Sequence, residues 1–78
     1  MPNQYTIGPK NPAVGRSVKV TWIAPKWGYP AGFVLTGTLE ETFAVGGYVV
    51  IGHVRTPQGR LVRVPWSKRC VQVEVSAQ

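Results

Sequence analysis

The side chains able to transfer protons, attack a substrate or bind a metal are few: His53, Cys70, Glu40, Glu41 and Glu74, with no aspartate in 78 residues. Acid–base or nucleophilic catalysis needs two such groups within hydrogen-bond reach, commonly a His or carboxylate beside an Asp, Glu, Ser or Cys. His53 has no aspartate to orient it, and it reads as a partly exposed strand histidine; phosphate contact or pH sensing near its ordinary pKa of ~6.5 is the alternative. Glu40 and Glu41 are neighbours, which on a strand face opposite sides, so they are expected in solvent rather than as a carboxylate pair. Cys70 is expected to be a packed, inert thiol. One Cys and one His fall short of the four ligands of structural zinc, and a lone Cys excludes an internal disulfide. Gly46-Gly47 lacks the Lys-Ser/Thr tail and following helix of a phosphate loop and reads as turn chemistry. No enzyme activity, metal or cofactor is expected.

The basic residues are more informative. Nine Lys and Arg against three Glu leave a net charge of +6, which favours a polyanion such as DNA, RNA or an acidic protein surface; the plain alternative is a charge that keeps a small domain soluble. Their placement favours the first. Arg55, Arg60, Arg63, Lys68 and Arg69 crowd into a stretch with no acid, and arginines on a hairpin rim suit bidentate contact with phosphate. Trp66 lies among them, either stacking on a base or plugging one end of the core. A second cluster, Lys26, Trp27 and Tyr29, combines a cation with aromatics of the kind on which unpaired bases stack. A small satellite cluster holding the loop down, or a dimer contact, is the competing reading.

Nine Gly and seven Pro spread along the chain leave no room for a helical stripe, so strands must position these groups. Residues 1–14, with Pro2, Gly8, Pro9 and Pro12, are expected as an extended or disordered arm, and residues 15–78 as the domain. Val18, Val20 and Trp22 alternate with Lys19 and Thr21 in a first strand over residues 17–23. Residues 24–32, with two prolines and two glycines, form a loop. A second strand covers residues 33–40, with Gly37 marking a bend or bulge, and residues 41–47 connect it to a third over 48–55. Four consecutive apolar residues, Tyr48 to Ile51, require cover on both faces, from a central position or a subunit interface. Thr56-Pro57-Gln58-Gly59 is a tight turn. A fourth strand, residues 60–64, a single 3₁₀ turn at residues 65–68 and a fifth strand over 70–75 complete the chain.

Five short strands, a long first loop, a hairpin between the third and fourth, and one turn before the last resemble the SH3-like or Sm-like small β-barrel across residues 15–75, most visibly in residues 59–73. The peptide-binding SH3 family has an Ala-Leu-Tyr-Asp-Tyr-type segment and an acidic first loop; this loop carries Lys26 and no acid, which opposes basic proline-rich ligands. The type II dihydrofolate reductase barrels have Val-Gln-Ile-Tyr where this chain has Leu61-Val62-Arg63-Val64-Pro65, so their activity does not carry over. The resemblance implies an all-β, five-stranded barrel with an N-terminal arm. With the charge pattern, the expectation is a non-enzymatic nucleic-acid-binding domain, DNA or RNA, using Arg55, Arg60, Arg63, Lys68, Arg69, Lys26, Trp27 and Tyr29. The alternative is a protein-assembly module acting through the aromatic loop and the apolar third strand. A chain this short buries only about 60–65% of its unfolded surface, which makes self-association a natural source of extra stability, and a homo-oligomer, with a dimer favoured, is expected. No signal-like start or apolar stretch of ~18 residues is present, so a cytoplasmic, non-membrane protein is expected.

Overall fold

Period-two burial builds the first strand, β1 (Ser17–Trp22): Val18, Val20 and Trp22 are buried while Ser17 and Lys19 are exposed. In a computed structural model, which describes residues 3–76, four more strands follow: β2 (Val34–Val45), β3 (Val49–Arg55), β4 (Leu61–Pro65) and β5 (Val71–Val75). All pairings are antiparallel, in one sheet of order β4-β3-β2-β1-β5. The chain is all-β, and no β4–β5 pairing closes the sheet among the described residues.

The long strand β2 serves two neighbours. Residues 34–38 pair with β1 and residues 38–45 with β3, so Thr38 faces Ser17 on one side and Arg55 on the other. Where the two halves cross, a Cβ at Gly37 would lie 2.8 Å from Val54 Cγ1, so only glycine lets the strands approach this closely. Of the bend or bulge expected at Gly37, a bulge is found nearby, between Leu39 and Glu41, with Glu40 as the extra residue. The strand also continues past residue 40, because Gly46 and Gly47, at φ +62 and +76, supply the left-handed turn to β3 and nothing earlier breaks the ladder.

The core gathers Val18, Val20, Trp22, Leu35, Leu39, Val54, Val62, Val64, Trp66, Val71 and Val73. Trp66 is fully buried, which fits the plug reading rather than a base-stacking one. Gly52 makes its space, since a Cβ there would lie 2.8 Å from Trp66 Cδ2. β3 is internal, between β2 and β4, as its apolar run requires, but the beginning of that run projects beyond cover: Tyr48 is 93% exposed and Val49 43%.

The N-terminal segment departs from expectation. Instead of an extended or disordered arm, its described part, residues 3–16, runs through successive turns closed by Thr6 N to Asn3 O, Asn11 N to Gly8 O, Val14 N to Asn11 O and Arg16 N to Ala13 O. Asn11 and Ala13 are buried. Asn11 Nδ2 donates to Gln4 O and Thr6 O, each at 2.7 Å, while its Oδ1 accepts from Ala13 N at 2.7 Å. Tyr5 Oη donates to Val71 O at 3.0 Å, Gln4 Nε2 to Val73 O at 3.2 Å, and Trp66 Nε1 to Gln4 O. A strap thus links β5 to Trp66. Prolines and glycines signal irregular backbone equally well whether it is free or packed, and the buried amide of Asn11, satisfied three ways, makes this segment packed. Residues 1, 2, 77 and 78 lie outside the described part.

Candidate nucleic-acid interface

The loop after β1 contains a two-residue hairpin of its own. Lys26 and Tyr29 exchange both backbone hydrogen bonds, N to O at 3.0 Å each way, around Trp27 at φ +52 and Gly28 at φ +84. Positive φ at both central positions is the signature of a type I′ turn, where Asn-Gly is the favoured pair. Trp27 is the one non-glycine residue with positive φ among those described. A bulky side chain there is strained.

Tyr29 anchors this turn. Its ring lies 4.8 Å from that of Trp22 and 4.7 Å from that of Phe33, with Trp22 and Phe33 edge-on at 5.5 Å. Tyr29 therefore packs against the core beside Trp22 and Phe33, while Trp27, 41% exposed, has no ring partner among the described residues. The sequence left both open to a stacking platform or to a cluster holding the loop down; in the structure Tyr29 packs on the core and Trp27 is the more exposed of the two.

Across from the turn runs β4. Trp27 and Tyr29, with Ile51, Arg60, Leu61, Val62 and Arg63, line a groove of about 380 Å³. Parts of two clusters more than 30 residues apart in sequence thus meet. Arg60 and Arg63 are exposed and neither guanidinium has a side-chain hydrogen bond or ion pair among the described residues. Two forked cations beside an apolar wall and an open indole can bind an anion and a planar ring together.

The other expected contacts are distributed differently. Arg55 is taken up internally: its Nε donates to Glu40 Oε2 at 2.8 Å, Nη2 to Glu40 Oε1 at 3.3 Å and Nη1 to Gly59 O at 2.9 Å. This hydrogen-bonded partner holds the Glu40 carboxyl below its usual range and raises Arg55 further. Lys68 and Arg69 are exposed on the turn before β5, and Lys26 on the stem of the Trp27 turn; none of the three lines the groove. Cys70 is half-buried against the core.

Sequence reasoning missed the glutamate pairings. The extra residue in β2 interrupts the alternation, so that Glu40 and Glu41 are both exposed between buried Leu39 and Thr42. Glu40 meets Arg55, and Glu41 Oε2 lies 2.8 Å from His53 Nδ1. His53 is half-buried and edge-on to Phe43 at 5.0 Å. A single shift of register in a strand lacking a Gly or Pro at that point leaves no local signal.

A larger hollow of about 620 Å³ is lined by residues of β1, β2 and β5 and of the turn after β3, among them Lys19, Thr36, Thr38, Thr56 and Glu74. Its arginine, Arg55, is paired with Glu40, its Lys19 stands opposite Glu74 in the β1–β5 ladder, and no aromatic residue lines it. No His, Cys and Glu gather in a group that could hold a metal among the described residues, and no helix is long and apolar enough to cross a membrane. The chain matches no protein-family model, no curated protein and no solved structure.

Proposed function

We propose that this chain is a non-enzymatic small barrel of the SH3-like or Sm-like kind that binds nucleic acid, DNA or RNA, through the groove between the Trp27 turn and β4. The strand order, with β5 returning to β1 and a bent β2 shared by both halves of the sheet, supports the barrel. One observation carries the binding role: unpaired Arg60 and Arg63 line the same groove as the exposed ring of Trp27. Lys26, Lys68 and Arg69 add long-range attraction for the polyanion, and Arg55, paired with Glu40, braces the hairpin that carries Arg60.

Salt-titrated binding tests this directly. Affinity should fall as salt rises, and Arg60→Ala should reduce the slope of log K against log salt by about 0.7 to 0.9, the value of one phosphate contact. Arg60→Glu with Arg63→Glu should abolish binding at low salt. Binding undiminished in that double variant overturns the proposal.

A second reading has its own support. Tyr48, Val45 and Val49 leave an apolar tip in solvent, at 93%, 50% and 43% exposure, which suits self-association, a dimer favoured, or docking to another protein.

A further inference from the structure

We infer that the groove holds an unpaired nucleotide, its base stacked on the Trp27 ring and its flanking phosphates on Arg60 and Arg63, so that single-stranded nucleic acid is the ligand class. This rests on the nucleic-acid reading above and narrows it.

Three observations meet at the groove. Trp27 occupies a left-handed position, φ +52, at the tip of a two-residue turn, where glycine or asparagine would sit with less strain. The indole stands outside the core cluster: Tyr29, Trp22 and Phe33 hold the turn down, and Trp27 has no ring partner among the described residues. Its position therefore makes physical sense as a surface presented to a ligand. The groove wall then selects the ligand. Ile51 and Leu61 are apolar and stand beside the two free guanidinium groups. A duplex presents phosphates and base edges, with its base faces closed by stacking; an unpaired strand presents phosphates and open base faces together. Only the second complements an indole, an aliphatic wall and two cations at once. The volume, about 380 Å³, is at the lower end of the range for small-ligand sites, roughly 300–1,000 Å³, and suits one nucleotide with the chain entering and leaving at the rim.

Fluorescence anisotropy with three labelled oligonucleotides of equal length, single-stranded DNA, single-stranded RNA and duplex DNA, tests the inference at low salt. Both single strands should bind more tightly than the duplex, and the tighter of the two identifies the source. Trp27→Ala should weaken single-strand binding roughly 5- to 150-fold, the range that one stacked base supplies, and leave duplex binding unchanged. Trp27→Phe should restore most of the loss. If the alanine variant loses its fold, Trp27→Asn, suited to this turn, replaces it. Equal affinity for duplex and single strand, or no effect of Trp27→Ala while Arg60→Glu with Arg63→Glu abolishes binding, overturns this inference and leaves the nucleic-acid reading standing. Failure of all three oligonucleotides to bind removes both.

Discussion

At the scale of single residues, Trp27 and Glu40 show how local geometry assigns roles that residue type leaves open. Trp27 stands where a type I′ turn favours Asn before Gly28, so Trp27→Asn should relieve strain and leave thermal stability equal to or above that of the parent, by up to about 1 kcal/mol, on the scale of such backbone effects. The same variant should bind single strands less well. A drop in melting temperature of several degrees would instead give the indole a packing role. Glu40 titrates in the opposite sense to a buried acid, because its carboxylate is hydrogen-bonded by Arg55 and its folded value lies below the ordinary 4.5. Its contribution is present above the unfolded value and disappears as pH falls through the folded one. Glu40→Gln should therefore lower stability at neutral pH, and the difference from the parent should vanish in acid. The pair is exposed, so the effect is small and should shrink with added salt.

At the scale of elements, β2 determines most of what is distinctive. Its 12 residues pair with two strands in turn, and its one bulge aligns two glutamates with His53 and Arg55. Gly52 on β3 provides the flat surface on which Trp66 rests. Gly52→Ala should push the indole aside and cost about 1–3 kcal/mol, as overpacking of a core does, measurable as a fall in the denaturant midpoint. A neutral result would mean that Trp66 has room to move. The strand pattern itself was legible from residue order. Val18, Val20 and Trp22, and likewise Val71 and Val73, are buried as alternation requires. The bulge was not legible, since it depends on how many residues of β2 oppose β3, a property of the pair rather than of either strand.

At the scale of the whole molecule, the N-terminal strap and the exposed β2–β3 tip are the two places where a small domain supplements a limited core. Asn11 ties Gln4 O, Thr6 O and Ala13 N with one amide. Asn11→Ala leaves Ala13 N to find another partner, while Gln4 O still accepts from Trp66 Nε1 and Thr6 O from Thr42 Oγ1, and should destabilise by about 1–3 kcal/mol; a change below 0.5 kcal/mol, within the ordinary range for surface substitutions, would show the strap to be dispensable. Tyr48 and Val49 present apolar surface that association would cover. If the domain dimerises there, light scattering should show a mass near twice 8.5 kDa, reduced to the monomer by Tyr48→Glu with Val49→Lys. An unchanged oligomer in that variant would move the interface elsewhere.

Residue order by itself determined the strand class, the near absence of groups for acid–base chemistry and the excess of positive charge, because periodicity, composition and charge are local or additive properties. The position of each cation relative to a partner was decided by tertiary structure alone. Arg55 and Arg60 stand five positions apart, yet one closes on Glu40 while the other lines a groove with Trp27, from a turn more than 30 positions earlier. Contacts between distant segments depend on register and on the path of loops across the sheet, and neither is encoded in any window short enough to read by pattern.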